Sequence, residues 1–165
     1  MNKIRILIIG LGRIGKIHLA NLQAMEEVEI VGICDPTHEA KVFSNKAGLA
    51  FYQKDFTNIA SEVQADAIVI CSPTDTHANY VSLAAKKGID VFCEKPLDLS
   101  LEKVKQVLKT VNESKIKLML GFNRRFDSEF QSVKEKIVNG HIGDIHTIKI
   151  TSRDPSPPPI NYIKS

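Results

Sequence analysis

Cysteine, long apolar runs and clusters of basic residues are all scarce in this sequence. The three cysteines, Cys34, Cys71 and Cys93, are too widely spaced for a disulfide framework or a CxxC metal pair. No apolar run is long enough to cross a bilayer, and the one at the N-terminus is too short for the core of a signal peptide. These absences predict a cytoplasmic protein with no metal site and no membrane partner.

The composition indicates one full domain with some chain left over. At 165 residues, with 43% hydrophobic and 25% charged residues, the chain can bury one sizeable core. Its net charge of +3 includes lysines that are spread over predicted helix faces, without a basic run or interleaved aromatic residues. Nucleic-acid binding is therefore not expected.

Residues 4–15 combine a short apolar run with three glycines in the spacing GxGxxG. The pattern predicts a buried strand, a tight turn at Gly10 and a helix, with Gly12 open to a pyrophosphate and Gly15 allowing close helix packing. N–H groups at the start of the helix would face the phosphates, which adds Arg13 and Ile14 to the predicted site. The motif alone is weak, because glycines at this spacing also occur by chance.

Asp35 gives the glycine motif its context. It lies twenty residues beyond Gly15, at the end of a second apolar run. A dinucleotide fold places there the carboxylate that accepts the ribose hydroxyls, which favours NAD because a carboxylate repels the 2′-phosphate of NADP. One alternative is that Asp35 is a helix N-cap before Pro36. Another is a P-loop over residues 10–16, but the next residue, Ile17, lacks the hydroxyl that holds magnesium.

Six apolar segments alternate with helical patterns as far as Leu120. This alternation predicts an α/β fold, the Rossmann doubly wound parallel sheet, in which right-handed crossovers give the strand order 3-2-1-4-5-6. The predicted strands cover residues 4–9, 29–35, 50–52, 67–71, 90–93 and 117–120. Ligands of such sheets bind beyond the carboxyl ends of the strands, and the polar motifs of this chain all follow those ends.

The pattern changes after Leu120. A helix is predicted over residues 127–139 and a seventh strand over residues 145–152, followed by a cluster of prolines. A lone strand cannot satisfy its own edges, so it needs partner strands that the remaining residues do not supply. We predict a cofactor domain over residues 1–122 and the start of an incomplete α+β domain over residues 123–165. Its sheet would be completed by further chain or by another subunit, as in a homo-oligomer.

Four motifs that follow strand ends resemble one family, the Gfo/Idh/MocA oxidoreductases. They are GLGRIG at residues 10–15, CSPTDTH at 71–77, CEKPL at 93–97 and GFNRRFD at 121–127. Glu-Lys-Pro is the most specific of them. Residues 150–159 resemble one branch, the inositol 2-dehydrogenases, although related sugar dehydrogenases share much of this segment. The resemblance covers the whole chain and implies the N-terminal portion of such an enzyme.

The resemblance implies hydride transfer from a ring hydroxyl carbon of a cyclic polyol or sugar, with myo-inositol the first candidate, to NAD. Lys95 would be the catalytic residue, beside the nicotinamide. A cation there would stabilise the negative charge that alcohol oxidation builds on the reacting oxygen. The alternative for Lys95 is a surface lysine at a strand end. The resemblance also implies a cis bond before Pro96, a common feature of the family, although most X–Pro bonds in folded proteins are trans.

The resemblance implies further binding residues. On the cofactor side they are Ser72, Pro73, His77 and Glu94, and on the substrate side they are Lys95, Arg124 and Asp154. The guanidinium of Arg124 would offer several donors to the hydroxyls of a polyol. Two alternatives stay open: His77 as a polar residue in the first turn of a helix, and Asp154 as a turn residue before a proline.

No general base can be assigned within the chain. In the family a proton-accepting Asp and His lie on a helix of the second domain, which is expected beyond Ser165. The histidines of this chain, His18, His38, His141 and His146 among them, fit surface or helix-end positions better. The chain alone should bind NAD and turn over poorly or not at all. Two rival hypotheses are a non-catalytic, truncated dinucleotide-binding or assembly protein, and a family member acting on another sugar.

Overall fold

The computed structural model describes residues 2–59, 62, 64–153 and 156–157. Within these ranges, six strands alternate with helices. The strands are β1 Ile4–Ile9, β2 Val28–Cys34, β3 Phe51–Tyr52, β4 Ala67–Ile70, β5 Asp90–Cys93 and β6 Leu118–Leu120. The helices are α1 Arg13–Gln23, α2 His38–Lys46, α3 Phe56–Ile59, α4 Thr74–Lys86, α5 Leu101–Ser114 and α6 Ser128–Val138, with a 3-10 helix at Asn123–Phe126.

Short polar side chains determine where several helices begin. Thr37, Ser100 and Asp127 precede α2, α5 and α6, and each accepts a hydrogen bond from an N–H group in the first turn. These bonds satisfy donors that have no partner inside the helix. Helices α1 and α4 are different, because their N-caps are Gly12 and Pro73 and no side chain caps either helix. The first N–H groups of α1, which directly follow the glycine turn, are therefore suited to bind an external anion.

All neighbouring strands are parallel, and their order is β3-β2-β1-β4-β5-β6. This order confirms the predicted Rossmann sheet. The register aligns the carboxyl ends of the strands: Ile9 pairs with Cys34 and Ile70, and Cys93 pairs with Ile70 and Leu120. The loops after β1, β2, β4, β5 and β6 therefore all start from the carboxyl end of the sheet. Ligands of such sheets bind at this end, near the point between β1 and β4 where the strand order reverses.

Each face of the sheet has its own apolar core. Leu7 and Ile9 belong to the cluster that includes residues of α4 and α5, whereas Ile6 and Ile8 belong to the cluster that includes residues of α1 and α2. This division follows from the strand period of two residues. Because both faces are covered, β1 is apolar along nearly its whole length and lacks the alternation of a half-exposed strand.

The chain divides into two compact units, Met1–Phe122 and Asn123–Ser165. The first contains the whole sheet, and the second contains the 3-10 helix and α6. The predicted seventh strand is wrong, because residues 145–153 form neither helix nor strand. A strand gains its hydrogen bonds from a partner, and the described part of the second unit offers none. No helix in the described ranges is long and apolar enough to span a membrane.

Candidate functional site

The glycines of residues 10–15 turn the chain from β1 into α1. Gly10 has a φ of +86°, and a Cβ there would lie 2.6 Å from the backbone nitrogen of Ser72. A Cβ on Gly15 would collide with the carbonyl oxygen of Gly10, whereas a Cβ on Gly12 would meet nothing within 4 Å. The fold itself therefore requires glycine at positions 10 and 15, while the space beside Gly12 is open.

Asp35 follows β2 and is 7% exposed. Its carboxylate accepts hydrogen bonds from the backbone N–H of Leu11 at 2.7 Å, from the N–H of Thr37 at 2.8 Å and from the Thr37 hydroxyl. Thr37 caps α2, so the alternative role of Asp35 as the N-cap is wrong. Because a carboxylate accepts about four hydrogen bonds, Asp35 keeps capacity for a further donor such as a ribose hydroxyl.

A cleft of about 420 Å³ lies beyond the carboxyl ends of β1, β2 and β4. Five residues of the predicted cofactor set line it: Gly10, Gly12, Asp35, Ser72 and Pro73. Three more, Arg13, Ile14 and Gly15, lie in the first turn of α1, directly after Gly12. The volume is within the range of small-ligand sites. The open backbone at Gly12 and the uncapped helix start fit phosphates, and the carboxylate fits a hydroxyl donor.

The lining residues that sequence reasoning missed include four that lie away from the predicted motifs: Lys54, Asp55, Phe56 and Tyr80. The Tyr80 hydroxyl donates to Asp55 at 2.6 Å, and its ring packs edge-on against Phe56. Burial alone would raise the pKa of Asp55, but hydrogen bonds from Thr57 and Tyr80 outweigh it and hold that pKa below its ordinary value. The position of Asp55 shortly after β3 could have indicated from the sequence that it lines the cleft. The position of Tyr80 at the cleft depends on how α4 packs on the sheet.

His77 connects the loop after β4 with the loop after β5. It lies in the first turn of α4 and is 2% exposed. Its Nδ1 lies 2.7 Å from the carbonyl oxygen of Pro96, and its Nε2 lies 2.8 Å from that of Ser72. Both ring nitrogens thus face backbone carbonyls, so the ring can influence the site through the loops it joins. Direct contact between His77 and a nicotinamide stays a prediction.

Glu94, Lys95 and Pro96 directly follow β5. The Lys95–Pro96 peptide bond is cis, as the resemblance implied. One carboxylate oxygen of Glu94 lies 2.8 Å from Nε2 of His18, and the other accepts a hydrogen bond from the backbone N–H of Lys95 at 3.3 Å. Lys95 is exposed and forms no salt bridge within the described ranges. Its ammonium group is therefore available to a ligand.

The three cysteines lie at the carboxyl ends of β2, β4 and β5, and their thiols are expected to react slowly. All are free, and burial is the main reason that the pKa of each thiol is raised to about 12. Neighbouring carboxylates contribute as well, chiefly Asp55 at Cys34 and Glu94 at Cys71. Such thiols are poor nucleophiles and poor metal ligands. Among the described residues, no group of three His, Cys, Asp or Glu side chains could hold a metal ion.

The two substrate residues predicted outside the sheet unit are placed differently. Arg124 lies in the 3-10 helix of the second unit, where its exposed guanidinium is 5.0 Å from the ring centroid of Phe130. This distance allows a cation–π contact. Asp154 lies outside the described residues. The substrate roles of both residues stay predictions.

Comparison with known proteins shows which family this chain matches. Residues 4–122 match the profile of Gfo/Idh/MocA, an oxidoreductase family with an NAD-binding Rossmann fold. Inositol 2-dehydrogenase of Rhizobium meliloti (strain 1021) is 42% identical over 162 residues, which are 98% of this chain and 48% of that relative. The crystal structure of a myo-inositol dehydrogenase from Corynebacterium glutamicum ATCC 13032 matches with a TM-score of 0.85 at 38% identity, covering 98% of this chain and 48% of that one.

A third relative has been solved with ligands. It is the scyllo-inositol dehydrogenase of Lactobacillus casei with bound NAD(H) and scyllo-inositol, which matches with a TM-score of 0.81 at 30% identity over 87% of this chain and 43% of that one. The chain spans about half the length of the curated relatives it matches. The family match runs from β1 to β6 and includes the cleft. The chain therefore belongs to the Gfo/Idh/MocA oxidoreductases, and its sheet unit is the NAD-binding Rossmann fold of that family.

Proposed function

We propose that this chain is the cofactor-binding portion of an NAD-dependent dehydrogenase that oxidises a ring hydroxyl of a cyclic polyol, with myo-inositol as the first candidate substrate. One observation carries the proposal: the Asp35 carboxylate and the open backbone at Gly12 line the same cleft beyond the sheet. In this assignment, Met1–Phe122 is the cofactor domain, and Asn123–Ser165 begins a domain for substrate binding and oligomerisation.

The pyrophosphate and the adenosine ribose would occupy the β1–β2 side of the cleft. Gly12 provides space for the pyrophosphate, and the first N–H groups of α1, at Arg13, Ile14 and Gly15, provide donors. Asp35 accepts a ribose hydroxyl with its remaining acceptor capacity. The 2′-phosphate of NADP would place a second negative charge against this nearly buried carboxylate, so the site selects NAD.

The reaction itself would take place beside β4 and β5. NAD supplies the hydride acceptor when it is bound. Ser72, Pro73 and Glu94 border the nicotinamide, and Lys95 stabilises the negative charge that forms on the reacting oxygen during alcohol oxidation. The exposed ammonium of Lys95 has no carboxylate to neutralise it among the described residues, which supports this role.

The substrate class is supported by the relatives. The three similar proteins above are an inositol 2-dehydrogenase, a myo-inositol dehydrogenase and a scyllo-inositol dehydrogenase, one of them solved with its polyol bound. All of them act on a ring that carries only hydroxyl groups. A substrate of this kind offers many donors and acceptors and no charge, which suits a guanidinium with several fixed donors such as that of Arg124.

Two further properties belong to the proposal. The three cysteines are free, which is in line with a reducing compartment such as the cytoplasm. A homo-oligomer formed through the second domain is supported by the exposure of apolar residues in Asn123–Ser165, including Val133, Ile148 and Ile150 at 58%, 69% and 78%.

The binding half of the proposal is tested by titrating the chain with NADH and NADPH and following nicotinamide fluorescence. NADH should bind at least about tenfold more tightly than NADPH, because the 2′-phosphate faces Asp35. Tighter binding of NADPH would overturn the role given to Asp35. If neither nucleotide bound, the proposed function itself would be wrong.

The catalytic half of the proposal has to be tested in a longer protein, because the chain spans about half the length of its relatives. Replacing the matched half of the Rhizobium meliloti relative with this chain should give a chimera that oxidises myo-inositol, measured as NADH absorbance. Lys95→Met in the chimera should lower kcat by about a hundredfold or more with little change in NADH affinity. Lys105→Met, an exposed lysine of α5, is the matched control and should leave kcat unchanged. A chimera that binds NADH but retains full activity without Lys95 would contradict the assignment.

A further inference from the structure

His18 contacts the strand that leads to Lys95, although it belongs to the helix that follows the glycine turn. It lies in α1, three residues after Gly15. Its ring packs edge-on against Phe92 of β5, with 5.0 Å between the ring centroids, and its Nε2 lies 2.8 Å from a carboxylate oxygen of Glu94. Phe92 lies in β5, and Glu94 directly follows the last residue of this strand. The side chain of His18 thus contacts two residues at the carboxyl end of β5.

The Glu94 carboxylate is enclosed by three groups. His18 lies against Oε1, and the backbone N–H of Lys95 donates to Oε2. On a further side lies Gly121, where a Cβ would come within 3.2 Å of both carboxylate oxygens. The side chains of His18 and Glu94 are only 25% and 21% exposed, so their contact is sheltered more than an ordinary surface pair.

We infer that His18 is a positioning residue for the nicotinamide half of the site: it holds the Glu94 carboxylate, and through the Glu94–Lys95 hydrogen bond it fixes the backbone that carries Lys95. The inference rests on the proposed function and extends it to a residue outside the cleft. Helix α1 begins at the phosphate turn, so His18 also links the pyrophosphate end of the site to the reacting end. Such a link keeps the distance between the two ends constant, as efficient hydride transfer requires.

The effect of losing His18 follows from this geometry. His18→Phe preserves the aromatic contact with Phe92 but removes the hydrogen-bond partner of Glu94. Glu94 then becomes free to rotate, and the backbone at Lys95 loses one of its restraints. The substitution should weaken the binding of a ligand whose nicotinamide extends to β5. It should not weaken the binding of a ligand that ends shortly after the pyrophosphate. A purely structural role for His18 would weaken both kinds of ligand equally.

The test compares NADH with ADP-ribose, which has the adenosine and both phosphates but no nicotinamide. Dissociation constants of both ligands are measured by calorimetry for the chain and for His18→Phe. We expect the variant to bind NADH about fivefold more weakly, the equivalent of one lost hydrogen bond, with less than a twofold change for ADP-ribose. His18→Gln places an amide donor near the position of Nε2 and should restore NADH binding. His141→Phe, at an exposed histidine, is the matched control and should change neither constant.

The outcomes separate the inference from the proposed function. A chain that binds neither ligand would contradict the proposed function, and the inference would fall with it. Equal affinity of the unmodified chain for NADH and ADP-ribose, or equal weakening of both in His18→Phe, would overturn the inference alone. If the melting temperature shows that His18→Phe unfolds, His18→Gln is the deciding variant. Normal binding of ADP-ribose and weak binding of NADH by His18→Gln, which keeps a hydrogen-bond donor, would also overturn the inference.

Discussion

The carboxylate of Asp35 accepts a hydrogen bond from the backbone N–H of Leu11 at 2.7 Å. Leu11 lies in the middle of the glycine turn, so this bond joins the end of β2 to the loop between β1 and α1. Asp35 therefore has a structural partner on one side and a cleft on the other. In the proposed function, the acceptor of the ribose hydroxyls and the donors to the pyrophosphate form one connected unit, and changes at Asp35 should affect both stability and cofactor choice.

Asp35→Asn should weaken NADH binding by about tenfold or more, because hydrogen bonds to a charged acceptor are stronger than those to an amide. NADPH binding should weaken less, or improve, because the charge that opposes the 2′-phosphate has gone. The measurement is the ratio of the two dissociation constants, followed by nicotinamide fluorescence.

Thr37→Val is the control for this substitution. It removes a hydroxyl donor to Asp35 and the N-cap of α2, so the free energy of unfolding should fall by about 1 kcal/mol. The carboxylate remains, and the preference for NADH should remain with it. If Thr37→Val and Asp35→Asn altered the preference equally, the carboxylate would not be its cause.

Alanine substitutions at Gly12 and Gly15 should separate cofactor binding from stability. A Cβ at position 15 meets the Gly10 carbonyl, so Gly15→Ala should lower the free energy of unfolding by about 1–3 kcal/mol. A Cβ at position 12 meets no protein atom within 4 Å, so Gly12→Ala should leave thermal stability almost unchanged. Gly12→Ala should nevertheless weaken NADH binding, since the methyl group fills the space proposed for the pyrophosphate. Normal NADH binding by Gly12→Ala would contradict that placement.

Tyr80→Phe should make the protein less stable at neutral pH but not in acid. The Tyr80 hydroxyl donates to Asp55, whose pKa lies below its ordinary value of 3.8. A lowered carboxyl pKa stabilises the folded state above the ordinary pKa, and this contribution is lost as the pH falls through the folded-state value. At pH 7 the loss should be about 1 kcal/mol or less, because Asp55 is exposed.

The pH dependence is measured by urea unfolding of both proteins at pH 7 and at about pH 3. The difference between their free energies of unfolding should shrink at the lower pH. Phe at position 80 keeps the edge-on contact with Phe56, so the comparison isolates the hydroxyl. A difference that stayed constant with pH would show that Asp55 is not its source.

The cysteines should resist alkylation in the folded protein. Burial raises the pKa of Cys34, Cys71 and Cys93 to about 12 from an ordinary 9.0, so the thiolate fraction near pH 8 falls by about a thousandfold. Iodoacetamide should therefore modify none of them in the native chain and all three in urea, as measured by mass spectrometry. Rapid labelling of one thiol at pH 8 without loss of structure would contradict the burial described here.

The architecture and the backbone part of the site could be predicted from the linear pattern of residues. Hydrophobic runs and their spacing were sufficient for the six strands, and the glycine motif with Asp35 then favoured the Rossmann order among the right-handed doubly wound sheets. The glycine turn was predictable too, because only a residue without a side chain can adopt the backbone at position 10 or fit at position 15. These features depend on local chemistry, which a linear pattern records. The seventh strand failed because pairing depends on a partner that no local pattern supplies.

The side-chain contacts of the site, in contrast, depend on the folded arrangement of the chain. The predicted polar residues do follow strand ends, but sequence gave no indication that Asp35 bonds to Leu11, that Tyr80 bonds to Asp55 or that His18 reaches Glu94 across 76 positions. The physical reason is that these contacts depend on how helices pack over the sheet, and that packing is fixed by the whole core. The linear pattern therefore predicts an ordinary surface or helix-end histidine at position 18, whereas in the structure its side chain contacts Phe92 and Glu94.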